Sequence, residues 1–302
     1  MKKATVFAPA KINISLDVLG KRPDGYHEVK MIMHSVPLFD TVTVYADELG
    51  GESCVHCENY DNCNKSQSET ELFCTNPNVP TDSRNTAFKA AQIFLEEIGK
   101  TAKVHINIDK KIPISAGLAG GSADAAAVFS ALNEIYGFPL DKARLLKLSE
   151  KVGADVPFCI SGGCALSEGI GERLTTIVPL KNVWIVIAKP DFEVSTARVY
   201  GAYVPERVEK HPDTDKIISA LRSGDLSGIA ENTANVLESV TERKYPVISE
   251  YKEYLKNEGA IIALMSGSGP SVFGIFDNEK AAESAYNFMK AITDDAYLMK
   301  IE

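Results

Sequence analysis

The chain contains, at residues 113–126, the run Pro113-Ile114-Ser115-Ala116-Gly117-Leu118-Ala119-Gly120-Gly121-Ser122-Ala123-Asp124-Ala125-Ala126. Its change from glycine-rich to alanine-rich composition predicts a loop that leads directly into a buried helix ending near Gly137. Glycine lets the backbone approach a ligand closely, and the unpaired N–H groups of a helix start favour negative charge. The run therefore favours phosphate binding, and a packing turn is the alternative. It matches neither the Walker A pattern nor G-x-G-x-x-G.

The composition is that of an ordinary globular protein, with 302 residues, 45% hydrophobic and 24% charged. We expect two lobes, residues 1–165 and 166–302. The sequence has no signal-peptide pattern and no apolar run of membrane-spanning length, which predicts a cytoplasmic protein without a membrane partner. The net charge of −9 argues against nucleic acid as a partner. It also means that a phosphate site needs local donors and a bound cation. Monomer and homodimer both remain open.

Apolar periodicity predicts the other elements of a mixed α+β chain. Strands are expected at 5–19 with a break at Pro9, 29–44 with an interruption at Pro37, 104–108, 184–188, 261–265 and 271–276. Helices are expected at 84–99, 140–152, 195–203, 214–221, 227–236, 246–258 and from residue 279 onward.

Two short segments carry polar residues of possible chemical use. Lys11 and Asn13 lie two apart in a predicted strand, so they project to the same side, either into a cleft or onto a solvated face. Asp155 lies in Gly-Ala-Asp-Val-Pro-Phe, where we expect it to be buried and therefore paired or capping. If Asp155 pairs with Lys11, the two form an acid/base pair suited to activating an alcohol.

A second flexible loop, Ser266-Gly267-Ser268-Gly269-Pro270, lies between the two apolar strands predicted at 261–265 and 271–276. Its composition suits a ligand-binding loop. A simple hairpin turn is the alternative.

Together and in this order, P-A-K-I-N at 9–13, the run at 113–126 and S-G-S-G-P at 266–270 resemble the three motifs of GHMP kinases. The resemblance implies an α+β, two-lobed GHMP kinase fold. Its N-terminal ATP-binding lobe would be ribosomal protein S5 domain 2-like, and its C-terminal lobe ferredoxin-like. It also implies ATP and Mg²⁺ as cofactors and a small-molecule substrate.

The loop Lys21-Arg22-Pro23-Asp24-Gly25-Tyr26-His27 and the segment at 153–158 resemble one branch of these kinases more closely. That branch phosphorylates the 2-hydroxyl of 4-diphosphocytidyl-2-C-methyl-D-erythritol in non-mevalonate isoprenoid synthesis. A GHMP kinase for homoserine, mevalonate or a sugar is an alternative. A noncatalytic homologue that binds nucleotide or metal is another.

Position by position, the resemblance implies Asp155 as the catalytic base and Lys11 as the stabiliser of charge. It implies that ATP is bound by Pro113, Ser115, Ala116, Gly117, Leu118, Ala119, Gly120, Gly121, Ser122 and Ala123. It implies that the acceptor is bound by Asn13, Tyr26, His27, Thr196, Tyr200, Gly267, Ser268 and Gly269. An aromatic pair among these would suit the flat faces of a cytosine ring.

Four cysteines form a C-x2-C-x5-C-x10-C pattern that the family does not require, namely Cys54, Cys57, Cys63 and Cys74. Clustered thiolates suit a structural zinc or iron–sulfur site, but such sites usually offer a second close pair. A surface loop with reduced cysteines is the alternative. We expect Cys159 and Cys164 to pack in the core.

Overall fold

A computed structural model of the chain describes residues 1–49 and 68–302. These residues form two compact units, each built from several chain segments. The first unit comprises Met1–Ala8, the described residues of Asp40–Lys110, and Gly121–Ile160, and the second comprises Pro9–Phe39, Lys111–Gly120 and Ser161–Glu302. The division of the chain into lobes 1–165 and 166–302 remains a prediction.

The described strands are β1 (Lys2–Lys21), β2 (His27–Glu48), β3 (Glu69–Cys74), β4 (Ala102–Asp109), β5 (Cys164–Gly169), β6 (Arg173–Thr176), β7 (Val183–Lys189), β8 (Ile262–Met265), β9 (Val272–Phe276) and β10 (Asp295–Ile301). The described helices are α1 (Thr86–Glu97), α2 (Gly120–Ile135), α3 (Lys142–Ser149), α4 (Val156–Ser161), α5 (Thr196–Gly201), α6 (Thr214–Ser223), α7 (Leu226–Asn232), α8 (Glu238–Lys244), α9 (Val247–Asn257) and α10 (Glu279–Ile292). None of these helices is both long enough and apolar enough to span a membrane.

The first unit packs helices against a small sheet. The second half of β2 pairs antiparallel with β4, and β4 pairs parallel with β3. Helix α1 begins where the Asn85 side chain accepts a hydrogen bond from the N–H of Ala87, as the capping preference of asparagine predicts. Its buried face is apolar and packs on β3 and β4, with Ala87, Ala90, Ala91, Phe94 and Leu95 inside.

The second unit contains an antiparallel four-stranded sheet in the order β10-β7-β9-β8. Every residue of β9 is buried, as expected for a central strand between two neighbours. Helices α9 and α10 pack against this sheet. The elements β7, intervening helices, β8, β9, α10 and β10 give the β-α-β-β-α-β pattern of a ferredoxin-like fold, so the predicted C-terminal architecture is confirmed.

Two predicted strand interruptions and one predicted helix end are wrong. Pro9 lies inside the continuous strand β1 and Pro37 inside β2, because a strand tolerates proline where the missing N–H has no ladder partner. The helix expected at 227–236 ends at Asn232, since the residues that follow leave the helix and form an isolated bridge between Asn235 and Leu16.

Candidate active site

Lys11 and Asn13 are neighbours on β1, where a spacing of two residues points both side chains to one side. Lys11 is 4% exposed and Asn13 is fully buried. The Lys11 ammonium donates to Oδ1 of Asn13 at 2.7 Å, and Nδ2 of Asn13 lies 3.3 Å from the sulfur of Met31. A buried ammonium requires oxygen partners, and the asparagine supplies one. The pair is therefore not on a solvated strand face.

The glycine loop, residues 113–120, is fixed beside Lys11. The Lys11 ammonium donates to the carbonyl oxygen of Gly117 at 3.0 Å. The backbone N–H of Lys11 donates to the carbonyl oxygen of Leu118 at 3.1 Å. One residue of β1 thus holds the loop through both its side chain and its backbone.

The backbone of the glycine loop alternates in conformation. Ser115, Gly117 and Ala119 have φ of +51°, +74° and +57°. Such alternation makes successive N–H groups converge, which creates a concavity for anions. The loop leads directly into α2 at Gly120, as predicted, and the helix start adds positive potential. The later residues of the predicted run form the first turn of α2 in the first unit, namely Gly121, Ser122 and Ala123.

The glycine–serine loop, residues 266–270, joins β8 and β9, which pair antiparallel. It is thus a hairpin turn, but it also contacts the glycine loop. The hydroxyl of Ser266 donates to the Gly117 carbonyl oxygen at 3.0 Å, and the N–H of Ser271 donates to the Ala116 carbonyl oxygen at 3.3 Å. The carbonyl of Gly117 therefore accepts from Ser266 and from Lys11 together.

Gly117 is the position where the two loops leave no room for a side chain. A methyl group there would collide with the Ser266 carbonyl oxygen and lie 3.1 Å from that of Gly269. We expect Gly117→Ala to lower the free energy of unfolding by about 3 kcal/mol, because left-handed strain and a backbone collision act together. Urea unfolding followed by circular dichroism measures this loss.

Gly224 provides a matched control for Gly117. Its φ of +73° is almost the same, but a methyl group there would meet no atom within 4 Å. Gly224→Ala should therefore cost only the conformational strain, about 1 kcal/mol. Equal losses in the two variants would contradict the close fit of the loops at Gly117.

Four of the predicted acceptor-binding residues come together as two pairs. The Thr196 hydroxyl lies 2.9 Å from that of Ser268, which joins the start of α5 to the glycine–serine loop. The rings of His27 and Tyr200 lie with centroids 5.3 Å apart. Tyr203, which no motif marks, adds an edge contact to His27 at 6.5 Å. Of the two remaining residues of the predicted set outside the loops, Asn13 is bonded to Lys11 and Tyr26 is 61% exposed.

The surroundings of His27 favour its neutral form. Burial, together with the positive charge of Lys21, lowers the pKa of His27 below its ordinary value of 6.5. In the neutral form one ring nitrogen can accept a hydrogen bond.

Asp155 lies in the first unit, directly before α4. Its carbonyl oxygen accepts from the N–H of Cys159 at 3.1 Å, which makes it the residue at which the helix begins. The expectation that Asp155 is buried is wrong, since it is half-buried while the four residues after it are buried. Its position at the start of the helix leaves Asp155 more accessible than the four residues that follow it. Lys11 belongs to the second unit, so the pairing of these two residues remains a prediction.

The first unit contains a buried cluster of three charged side chains, two of which precede and follow the glycine loop in the sequence. The Lys110 ammonium donates to Oδ2 of Asp40 at 2.5 Å and to Oδ2 of Asp124 at 2.7 Å. The three side chains are at most 4% exposed. Lys110 follows β4 and Asp124 lies in α2, so this contact joins two elements of the first unit. No sequence motif indicated the cluster.

The cluster predicts a pH-dependent stability. Burial, reinforced by the charge of Asp40 and opposed by Lys110, raises the pKa of Asp124 from 3.8 to about 7. Because the folded pKa is the higher one, the stabilisation is complete below about pH 4 and is lost as the pH rises towards 7. We expect a loss of about 2 to 4 kcal/mol of unfolding free energy across this window.

The measurement is the unfolding free energy of the wild type and of Asp124→Asn from about pH 5 to about pH 8. The variant should have a flatter profile, because it lacks the titrating carboxyl. Asp141→Asn alters a carboxylate that caps α3 at the surface and should keep the wild-type slope. Identical slopes in all three proteins would contradict this assignment.

The cysteine pattern falls mostly outside the described residues, where Cys54, Cys57 and Cys63 lie. Cys74, Cys159 and Cys164 are buried and reduced, and the predicted core position of the last two is confirmed. Burial raises the pKa of Cys164 to about 12. Within residues 1–49 and 68–302, no three His, Cys, Asp or Glu side chains are arranged to hold a metal ion. A metal site in the cysteine insertion remains a prediction.

Comparison with known proteins finds a family match in each half of the chain. The GHMP kinases N-terminal domain family matches residues 85–163, and the GHMP kinases C-terminal family matches residues 217–294. A 4-diphosphocytidyl-2-C-methyl-D-erythritol kinase from Alkaliphilus metalliredigens is 45% identical over 300 residues, which cover 99% of this chain and 97% of the relative. One from Acetivibrio thermocellus is 46% identical, with 96% of each chain covered.

Solved structures agree with this placement. A crystal structure of a 4-(cytidine 5'-diphospho)-2C-methyl-D-erythritol kinase has 31% sequence identity and a TM-score of 0.77, with 98% of each chain covered. A homoserine kinase from Cytophaga hutchinsonii also reaches 0.77, covering 100% of this chain and 95% of its own. Its identity of 21% supports the fold alone. The chain therefore belongs to the GHMP kinases and, within them, to the family of 4-diphosphocytidyl-2-C-methyl-D-erythritol kinases.

Proposed function

We propose that this protein transfers the γ-phosphoryl group of ATP to the 2-hydroxyl of 4-diphosphocytidyl-2-C-methyl-D-erythritol, giving the 2-phosphate and ADP. The observation that carries the proposal is the 45% identity to a kinase of that name over 99% of the chain. The reaction would serve non-mevalonate isoprenoid synthesis. The cytoplasmic location and the choice between monomer and homodimer remain predictions.

We assign the ATP phosphates to the glycine loop and the first turn of α2. The alternating backbone at Ser115, Gly117 and Ala119 supports this assignment, because it presents N–H donors rather than side chains. The helix start adds its dipole. Backbone donors suit a protein of net charge −9, since they bind an anion without requiring a surface rich in Lys and Arg.

Lys11 is proposed to stabilise charge on the transferring phosphoryl group. Its ammonium is buried and held by two oxygens, Oδ1 of Asn13 and the carbonyl of Gly117. A cation fixed in this way needs little reorganisation when charge develops, which is the condition for electrostatic stabilisation of a transition state. The contact with Gly117 also places it directly beside the loop assigned to the phosphates.

Asp155 is proposed as the base that takes the proton of the acceptor hydroxyl. An alcohol is a weak nucleophile unless its proton is accepted during attack, and a carboxylate can fill that role. The half-buried position of Asp155 at the start of α4 supports access from a bound acceptor. Phosphoryl transfer otherwise asks mainly for positioning of the two substrates.

The cytidine end of the acceptor is assigned to His27 and Tyr200, with Tyr203 in edge contact with His27. Two rings 5.3 Å apart offer flat apolar surface for a base, and the neutral form of the His27 ring adds a hydrogen-bonding nitrogen. The Thr196–Ser268 contact connects this region with the glycine–serine loop. Gly267, Ser268 and Gly269 are proposed to contact the acceptor on that side.

Magnesium would be held chiefly by the ATP phosphates and water, the usual arrangement in kinases. The donor set fits this arrangement, because the described residues form no cage of acidic or imidazole ligands. The hydroxyl of Ser122, in the first turn of α2, is the protein oxygen that we assign to the ion. When bound, the ion would neutralise phosphate charge.

The test is release of ADP by the purified protein with ATP and magnesium. The acceptors to compare are 4-diphosphocytidyl-2-C-methyl-D-erythritol, homoserine, mevalonate and galactose. We expect turnover with the cytidylated acceptor alone, and phosphorus NMR should place the new phosphate on its 2-position. Turnover with another acceptor instead would reassign the substrate within the GHMP kinases. Binding of ATP without turnover of any acceptor would support a noncatalytic homologue.

A further inference from the structure

A short segment between α7 and α8, residues 233–236, is bonded to the strand that carries Lys11. The hydroxyl of Thr233 donates to the carbonyl oxygen of Ile14. The N–H of Leu16 donates to the carbonyl oxygen of Ala234 at 2.9 Å, and the N–H of Val236 donates to the carbonyl oxygen of Leu16 at 3.0 Å. The segment therefore behaves as a short extension of the β1 pairing and is fixed in place by it.

Asn235, in the middle of this segment, is bonded to the glycine–serine loop. Its side chain is 3% exposed. Nδ2 donates to the carbonyl oxygens of Met265 at 2.8 Å and Gly267 at 2.7 Å, and Oδ1 accepts from the N–H of Leu237 at 3.0 Å. Both amide protons and the amide oxygen are used. Rotating the amide by half a turn would place its oxygen against two carbonyl oxygens, so only one orientation fits.

The loop needs these donors because its backbone leaves the β8–β9 ladder. Gly267 has φ of +57°, and Gly267 and Ser268 are buried. A buried carbonyl without a donor is costly, so the position of the loop depends on where its donors are held. Thr241 of α8 supplies one further donor, from its hydroxyl to the Ser268 carbonyl oxygen at 3.2 Å.

The same loop lies against Lys11. A methyl group built on Gly267 would lie 3.3 Å from the Lys11 ammonium. Ser266 and Lys11 also share the Gly117 carbonyl oxygen. The donors on Asn235 therefore set how closely the loop approaches the ammonium, and β1 fixes Asn235 itself.

We infer that Asn235 is a positioning residue for phosphoryl transfer: it fixes the glycine–serine loop against Lys11. The catalytic part of this inference rests on the proposed function, whereas the part about the loop does not. An asparagine that merely stabilised the fold would lower the melting temperature without loosening this one loop in the folded state.

The test that needs no substrate is amide hydrogen exchange, followed by mass spectrometry, on the folded full-length protein. We expect exchange in peptides covering residues 265–271 to be about tenfold faster in Asn235→Ala than in the wild type, since a lost donor lowers the cost of local opening. Asn232→Ala is the matched control. The side chain of that asparagine donates to the Gly228 carbonyl oxygen within α7 rather than to the loop.

The kinetic arm uses the same three proteins with ATP and the cytidylated acceptor. We expect Asn235→Ala to lower kcat about 10- to 100-fold with a smaller change in KM for ATP, because a small misplacement of the site is costly. Asn232→Ala should keep the wild-type kcat. Unchanged exchange in the loop of Asn235→Ala would overturn the inference, as would unchanged kcat in an active wild type. An inactive wild type would instead count against the proposed function and leave the exchange result standing.

If Asn235→Ala does not fold, Thr241→Val provides a second test of whether donors from this region position the loop. It preserves the shape of the side chain and removes one donor to the same loop. Faster exchange confined to residues 265–271 would support the inference that donors from this region set the loop, and wild-type exchange would overturn it.

Discussion

Replacement of Asp155 by asparagine is expected to lower kcat by about 10²- to 10⁴-fold, with little change in KM for either substrate. The amide has nearly the same shape as the carboxylate but cannot accept the proton of the acceptor hydroxyl. An interaction that matters only in the transition state affects kcat rather than ground-state binding. Steady-state release of ADP, with each substrate varied in turn, measures both constants.

Asp141→Asn is the matched control for this experiment. Asp141 also lies in the first unit and begins a helix, where its side chain accepts from the N–H of Arg144. It should leave kcat at the wild-type value. If Asp155→Asn retained more than about a tenth of wild-type kcat, the role of general base would have to be given up. Equal melting temperatures of the two variants would separate a catalytic loss from a folding loss.

Replacement of Lys11 by methionine should lower kcat/KM by about 10³-fold, in line with the loss of one fixed donor from a charged transition state. Methionine fills similar space without charge. The variant also leaves Oδ1 of Asn13 without the Lys11 donor, whereas the Gly117 carbonyl keeps its bond from Ser266. We therefore expect a loss of unfolding free energy of about 1 to 3 kcal/mol as well.

Lys189→Met separates these two consequences. Lys189 is likewise a buried lysine of the second unit, at 6% exposure, and it donates to the Pro190 carbonyl oxygen at 3.2 Å. Its ammonium lies 3.6 Å from Oδ2 of Asp295. The variant should lose stability but retain kcat/KM. A comparable loss of activity in both lysine variants would mean that Lys11 acts only through the fold.

The parts of the site that could be predicted from the sequence depend on residues that lie close together along the chain. The glycine loop and the start of α2 follow from a local change of composition, and the structure confirms both. The shared side of Lys11 and Asn13 follows from the two-residue period of a strand. His27 and Tyr200 were named only through the family resemblance, as acceptor-binding residues, and the structure shows that their rings are in contact.

The parts that the sequence did not predict depend on residues far apart in the chain. Asp40 and Lys110 are 70 positions apart, and Asn235 and Gly267 are 32 apart. Periodicity within a short window contains no information about such pairs. Strands β5 and β10 were also missed, because their residues alternate too weakly to mark a strand. Their strand partners come from other parts of the chain, namely β2 and β6 for β5 and β7 for β10. These two segments are strands because of pairing with distant parts of the chain, which their local sequence does not reveal.

The bonds between β1 and residues 233–236 have a consequence for synthesis on the ribosome. Lys11 is made early, but its strand acquires these partners only after Asn235 and the glycine–serine loop have been translated. At about 5 to 20 residues per second, the interval between Lys11 and Gly267 lasts roughly 10 to 50 seconds. During that time the nascent β1 lacks part of its final pairing. Pairings this distant in sequence also make for slow folding.

Nascent chains stalled before residue 233 should therefore be unable to retain ATP analogues, even where their early segments are already compact.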